Sequence, residues 1–189
     1  MHVIDKEYSA SYAHRVWSQM LDDNYSLDCS CKCKYFHGHN FILKVGLQAL
    51  KLERGMVTDF KHLNVIKKLV DDVIDHKFIF DINDPIFSNF LPEVDVEKDL
   101  IDYKHYKLIN LDNFKHLRDT DTPESQAIYE KLEGMVIVDF VPTSENLCKF
   151  FAEVADECLR GLEGYGDRFK LAYIDFWETP KSHCRYEVQ

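Results

Sequence analysis

The stretch that most constrains this chain is His37-Gly38-His39, running into Phe41-Ile42-Leu43, Val45 and Leu47. On a strand, side chains two apart share a face, so both imidazoles project together. They make a pair of nitrogen donors suited to a transition metal. The plainer reading of such a pair is surface decoration. Gly38 leaves the opposite face bare, and the apolar run sets the histidines at the mouth of a buried strand. Cys29, Cys31 and Cys33 stand just upstream. Cys33 precedes His37 by four residues, close enough to put a thiol beside a metal without ligating it. A thiolate near a cation is acidified and serves as a base or nucleophile. The triplet also has structural readings, as a thiolate cluster or one end of a zinc knuckle. A disulfide within it conflicts with bridge geometry.

The 189 residues are 46% hydrophobic, enough for one domain with a sizeable core. A net charge of −10 argues against a broad nucleic-acid or anionic-membrane surface. No apolar run approaches the ~20 residues of a membrane span, and the N-terminus lacks a signal-peptide pattern. These features predict a cytoplasmic protein whose 6 cysteines are reduced.

Taken in order, residues 3–14 alternate, with Tyr8, Ala10, Tyr12 and His14 on one parity, and predict a strand. Residues 15–36 read as a loop and 39–50 as a second strand. Arg54-Gly55 marks a turn, after which Thr58 or Asp59 caps a helix over 59–75. Its apolar stripe is Phe60, Leu63, Ile66, Leu69, Val70, Val73 and Ile74. Residues 81–133 are acidic, aromatic-rich and weakly periodic. They read as an insertion between helices, too short and too polar for a large core of its own, with a helix expected over 124–133. Residues 135–140 are a strand-like apolar run. Thr143 or Ser144 then caps a helix over 144–161, ended by Gly161, Gly164 and Gly166. Strands follow at 168–178 and 183–188. The predicted fold is α+β: an antiparallel four-stranded sheet with two helices on one face, plus the insertion.

Six pieces in this order carry a family resemblance. They are Ala13-His14-Arg15, Cys33-x3-His37-Gly38-His39, Gly55-Met56-Val57-Thr58-Asp59-Phe60, Asp75-His76, Pro142-Thr143-Ser144-Glu145-Asn146-Leu147 and Glu178-Thr179. The chain resembles the 6-pyruvoyl-tetrahydropterin synthase and 6-carboxytetrahydropterin synthase superfamily over nearly its whole length, 81–133 excepted. The resemblance implies a single domain over 1–189 with the tunnelling fold (T-fold), assembled as a homohexamer of two stacked trimers. It implies zinc held by His14, His37 and His39, with a fourth position open to the hydroxyls of a pterin side chain. Cys33 matches the proton-abstracting thiol, and Asp75 and His76 match the acid–base pair. Glu178 matches the carboxylate that anchors the pterin ring, whose paired N–H groups it can accept. Thr143, Ser144 and Glu145 match a second pterin-contacting segment. Asp59 reads as a helix cap. Without the resemblance, Asp75 and Glu178 read as exposed acids, His76 as a solvated histidine, and Thr143 to Glu145 as helix capping.

Within the superfamily, three residues separate the cysteine from His-Gly-His in the carboxypterin type, as they do for Cys33. The gap is five in the pyruvoyl type, which Cys31 satisfies. Asp59-Phe60, Pro142-Thr143-Ser144-Glu145 and Glu178-Thr179 with Cys184 downstream favour the carboxypterin type. The implied reaction is a carbon–carbon lyase step that turns 7,8-dihydroneopterin triphosphate into 6-carboxytetrahydropterin, acetaldehyde and triphosphate, on the route to 7-deazaguanines such as queuosine. The alternatives are the pyruvoyl-type elimination of triphosphate, and a non-catalytic zinc protein whose Cys/His loop is structural.

Overall fold

The computed structural model describes residues 1–20, 32–120 and 122–188. Cys29 and Cys31 therefore lie outside the described residues. The strands are β1 (His2–His14), β2 (His37–Ala49), β3 (Lys77–Asp81), β4 (Leu100–Asp102), β5 (Lys107–Ile109), β6 (Met135–Val138), β7 (Lys170–Thr179) and β8 (Ser182–Glu187). The helices are α1 (Asn64–Leu69), α2 (Phe87–Phe90), α3 (Lys115–Asp119), α4 (Pro123–Glu133) and α5 (Ser144–Leu159). The chain divides into two compact units.

The first unit comprises Met1–Tyr12, His39–Asp75 and the chain from Thr143 onward. β2 pairs antiparallel with β7, setting Leu43 across from Phe176 and Val45 across from Ile174, and β7 pairs antiparallel with β8. The even residues Tyr8 and Tyr12 of β1 and the odd residues Phe41, Leu43, Val45 and Leu47 of β2 are buried. So are Ile174 and Phe176 of β7. The period-2 alternation therefore sorts each strand into a core face and an open face. α5 packs on β7 and β8, and α1 on α5. Leu147, Phe150, Phe151, Val154, Ala155 and Leu159 give α5 its buried stripe, and Phe151 stacks on Phe41 at 5.7 Å between ring centroids. Each such Leu, Val or Phe side chain, fully buried, stabilises the fold by about 1.5–3 kcal/mol. Thr143 caps α5, its side chain accepting the Asn146 N–H at 3.3 Å.

The second unit comprises the described residues of Ala13–Gly38 and His76–Pro142. β3 and β6 are parallel, with Phe78 opposite Met135 and Asp81 opposite Val138. β5 runs antiparallel to β6, and β4 to β5. Phe80, Phe87, Leu91, Ile109, Phe114, Leu132, Met135 and Ile137 form a buried cluster. Thr122 caps α4, with Pro123 in its first turn.

Three expectations are corrected. The sheet has eight strands, in the order β4-β5-β6-β3-β1-β2-β7-β8, not four; β1-β2-β7-β8 is the expected part. It is mixed, because β3 and β6 are parallel. The helix expected over 59–75 is three pieces: a 3-10 turn over Phe60–Leu63 capped by Asp59, then α1, then a π turn over Val70–Ile74. The stripe survives at Leu63, Ile66, Leu69, Val70 and Ile74, but Phe60 is 54% exposed. The segment 81–133 contributes Phe87, Leu91, Ile109, Phe114 and Leu132 to a buried cluster that Phe80, Met135 and Ile137 complete from the flanking strands.

Candidate active site

The core rows of three strands end in polar residues. On β1 the row Tyr8, Ala10, Tyr12 ends at His14, which is 1% exposed. On β2 the row of Leu47, Val45, Leu43 and Phe41 leads back to His39 and His37. On β7 the row Ile174, Phe176 continues to Glu178. β2 begins at His37 rather than at residue 39, so both histidines lie on regular strand and share a face. One donor atom from each of His14, His37 and His39 lies within 4.8 Å of the others.

Backbone carbonyls set the tautomers of two of these rings. His14 Nδ1 lies 2.6 Å from the Pro142 carbonyl oxygen, and His37 Nδ1 lies 2.8 Å from that of Tyr35. A carbonyl only accepts, so each Nδ1 carries a proton, and in the neutral imidazole each Nε2 then carries a lone pair. Those two Nε2 atoms face one another at 3.2 Å. Two lone pairs so close repel unless a cation lies between them. Two nitrogens bound at ~2.0–2.1 Å on a tetrahedral zinc are about 3.3–3.4 Å apart. The donor set and the spacing of this pair thus fit a transition metal. Pro142 and Tyr35 supply the orienting contacts that ligating histidines ordinarily have.

Glu178 is half-buried beside His39. Its Oε1 accepts the Tyr12 hydroxyl at 3.1 Å and lies 3.8 Å from His39 Nε2. Burial, then the Glu178 charge and its hydrogen bond, push the Tyr12 phenol far above its ordinary pKa. Tyr12 therefore stays a neutral donor. Its parity with His14 was legible; its partner, 166 positions along the chain, was not.

Cys33 is half-buried in the 3-10 turn Lys32–Lys34, and its carbonyl accepts the Val16 N–H at 2.8 Å. Asp75 closes the π turn by donating its N–H to the Val70 carbonyl at 2.8 Å, and its Oδ1 accepts the Ser11 N–H at 2.9 Å. His76 is exposed and holds φ at +59°, a left-handed conformation uncommon for a residue with a side chain. Thr143 serves as the cap of α5, Ser144 is half-buried and Glu145 is exposed in the first turn. Thr58 is buried, its hydroxyl 2.6 Å from His62 Nδ1.

The family model of 6-pyruvoyl tetrahydropterin synthase matches residues 3–189. A 6-carboxy-5,6,7,8-tetrahydropterin synthase of Aquifex aeolicus is 30% identical over 195 aligned positions, covering 98% of each chain. The crystal structure of an uncharacterized protein from Wolinella succinogenes superposes with a TM-score of 0.83 at 36% identity, covering 100% of this chain and 98% of the other. The 6-pyruvoyl tetrahydropterin synthase of Caenorhabditis elegans, 22% identical with a TM-score of 0.53 over 100% of this chain and 96% of its own, shares the fold.

Proposed function

Because the chain belongs to the 6-pyruvoyl tetrahydropterin synthase family, we propose that it is a zinc-dependent 6-carboxytetrahydropterin synthase. Its substrate is 7,8-dihydroneopterin triphosphate, and its products are 6-carboxytetrahydropterin, acetaldehyde and triphosphate for 7-deazaguanine synthesis. The observation that carries the reading is the opposed pair of Nε2 atoms on His14 and His37, 3.2 Å apart, with His39 in the same group of donors. The full-length similarity to the Aquifex enzyme named for this product supports the carboxypterin choice.

His14, His37 and His39 hold the ion. Zinc in such a site supplies Lewis-acid polarisation of the hydroxyls of the pterin side chain. Glu178 accepts the ring N–H groups of the pterin, and Tyr12 keeps its carboxylate aimed by donating to Oε1. Thr143, Ser144 and Glu145 contribute the second side of the pterin pocket at the start of α5. Cys33, as thiolate, takes a proton from the side-chain carbon, and Asp75 with His76 carries protons to and from solvent. β8 ends the sheet order and presents an unpaired edge among the described strands. Edge-to-edge pairing between copies, in a homohexamer of two trimers, removes that edge.

The decisive experiment is incubation with dihydroneopterin triphosphate and zinc, followed by mass analysis of every product. Acetaldehyde with carboxypterin is the expected result. Triphosphate release with all side-chain carbons retained means the pyruvoyl-type reaction. Zinc binding with neither product means the non-catalytic reading. Cys33→Ala is expected to keep zinc and pterin binding while losing on the order of 10²–10⁴ in rate.

A further inference from the structure

Three consecutive residues just past the metal-ligand position of β1 are fastened, and two of the fastenings reach Asp81 and Asp84, outside the motifs that carry the resemblance. Arg15 Nε lies 2.9 Å from Asp84 Oδ2, and the Asp84 side chain is fully buried. Val16 donates its N–H to the Cys33 carbonyl at 2.8 Å. Trp17 donates its indole N–H to Asp81 Oδ2 at 2.8 Å. The two carboxylates are built alike. Asp81 uses Oδ1 to accept the Asn83 N–H at 2.9 Å, and Asp84 uses Oδ1 to accept the Ile86 N–H at 3.0 Å. Each thus locks its own turn with one oxygen and reaches the end of β1 with the other. Between them, the Asp84 N–H donates to the Asp81 carbonyl at 3.1 Å, so the two acids form one rigid turn.

A single backbone hydrogen bond from Val16 would hold the Cys33 turn loosely, since an isolated turn of three residues has little stability of its own. Here the donor sits between two side chains anchored on buried acids, so its position is set before it meets Cys33. The Arg15 guanidinium also lies over the Phe36 ring at 5.6 Å, adding a second tie on the far side of the same turn.

We propose that Asp81 and Asp84 are positioning residues: through Trp17 and Arg15 they hold the Val16 N–H that fixes the Cys33 turn. The consequence for rate rests on the proposed role of the Cys33 thiol; the fastening itself does not. A reacting group displaced by about 1 Å loses on the order of 100-fold in rate, so the hold on this turn is a catalytic quantity although neither acid touches substrate.

The test uses Asp84→Asn and Asp81→Asn in the full chain. Asparagine keeps Oδ1 for the local turn and changes only the reach to Arg15 or Trp17. Amide hydrogen exchange at Val16 is expected to speed up about tenfold or more, while amides of β6 keep their protection. With the substrate named above, kcat is expected to fall on the order of 10- to 100-fold with KM and zinc content unchanged. In a Cys33→Ala background the same substitutions should cost no further rate, a coupling that a general loss of stability would not produce. Unchanged exchange at Val16 overturns the proposal. So does faster exchange with kcat intact, or rate losses that add fully to that of Cys33→Ala. A wild-type chain inactive on the pterin, with Val16 exchange still raised in the variants, sinks the proposed reaction and leaves the fastening established.

Discussion

The Tyr12 hydroxyl and Glu178 Oε1 are 3.1 Å apart, one on the first strand and the other near the end of β7. The phenol is 3% exposed, so the contact is made in a poorly hydrated place where a hydrogen bond to a charge is worth about 1.5–3 kcal/mol. Tyr12→Phe is expected to lower thermal stability and to raise the pterin KM roughly 3- to 10-fold by freeing the carboxylate. The raised phenol pKa means that its stabilising contribution is complete below the ordinary tyrosine value, about 10, and declines only as pH rises beyond it. Activity between pH 6 and 9 should therefore show no Tyr12 titration, which a comparison of wild-type and Tyr12→Phe pH profiles checks.

The metal prediction follows from the facing Nε2 atoms. Wild-type protein should bind one zinc per chain and melt higher with zinc than after chelation, since a ligand that binds only the folded state at 100 times its Kd adds about 2.7 kcal/mol. His14→Ala, His37→Ala and His39→Ala should each lose most of the metal and most of the activity. Atomic absorption on the His37→Ala, His39→Ala double variant decides the point; full zinc occupancy there would remove the assignment.

His76 carries backbone strain, with φ at +59°. Left-handed conformation costs a residue with a Cβ roughly 1–2 kcal/mol, and glycine escapes it. His76→Gly is expected to raise the melting temperature by about 2–4 °C, a shift typical of ~1 kcal/mol in a chain this long. Turnover should fall at least 100-fold, on the order of the loss of a general acid–base group. Calorimetry and steady-state kinetics on one preparation test both arms, and unimpaired turnover would exclude His76 from proton transfer.

Asp175 gives an acid-stability prediction. Burial alone would raise its pKa, but hydrogen bonds from Arg185 at 2.7 Å to each oxygen and the nearby His183 hold it below the usual carboxylate value. A depressed folded pKa means this stability is complete above about 3.9 and is lost as pH falls through the lower folded value. Arg185→Ala leaves a buried carboxylate short of partners and should cost on the order of 2–3 kcal/mol at neutral pH, less than for a fully buried pair because Arg185 is half exposed. The gap in melting temperature between wild type and variant should narrow from pH 6 to pH 3; a constant gap would show that Asp175 is not the group responsible.

The rows that position the site were legible wherever the alternation was long. Tyr8 to His14 and His37 to Leu47 each repeat one face over several residues, so the placement of the imidazoles could be read from the chain. The stripe of α5 was legible for the same reason. What escaped was non-local or too short to be periodic. β4, β5 and β6 have three or four residues each, and a fully buried run such as Met135-Val136-Ile137-Val138 does not reveal that its partner is parallel. The ties of Tyr12 to Glu178, Trp17 to Asp81 and Arg15 to Asp84 join distant positions, and the acids that make them are of types common on surfaces. The break of the helix before Asp75 into 3-10, α and π turns left the spacing of its apolar residues almost unchanged, so periodicity could not reveal it.

The parallel pairing of β3 with β6 carries a kinetic consequence. Phe78 cannot meet Met135 until the chain between them has closed into a loop, whereas β7 and β8 are joined through Thr179 and Ser182 and can zip locally. Loop-closure entropy is spent before such a distant contact stabilises anything, so topology of this kind slows folding. Refolding should therefore be biphasic in order: a hairpin at the C-terminal end of the chain forms first, and the aromatic cluster around Phe80 and Phe114 assembles last. Pulse-labelling of the β8 and β6 amides resolves the two. The acids that hold the Cys33 turn belong to the later-assembling part, so catalytic competence should appear with the slow phase rather than with the bulk of the secondary structure.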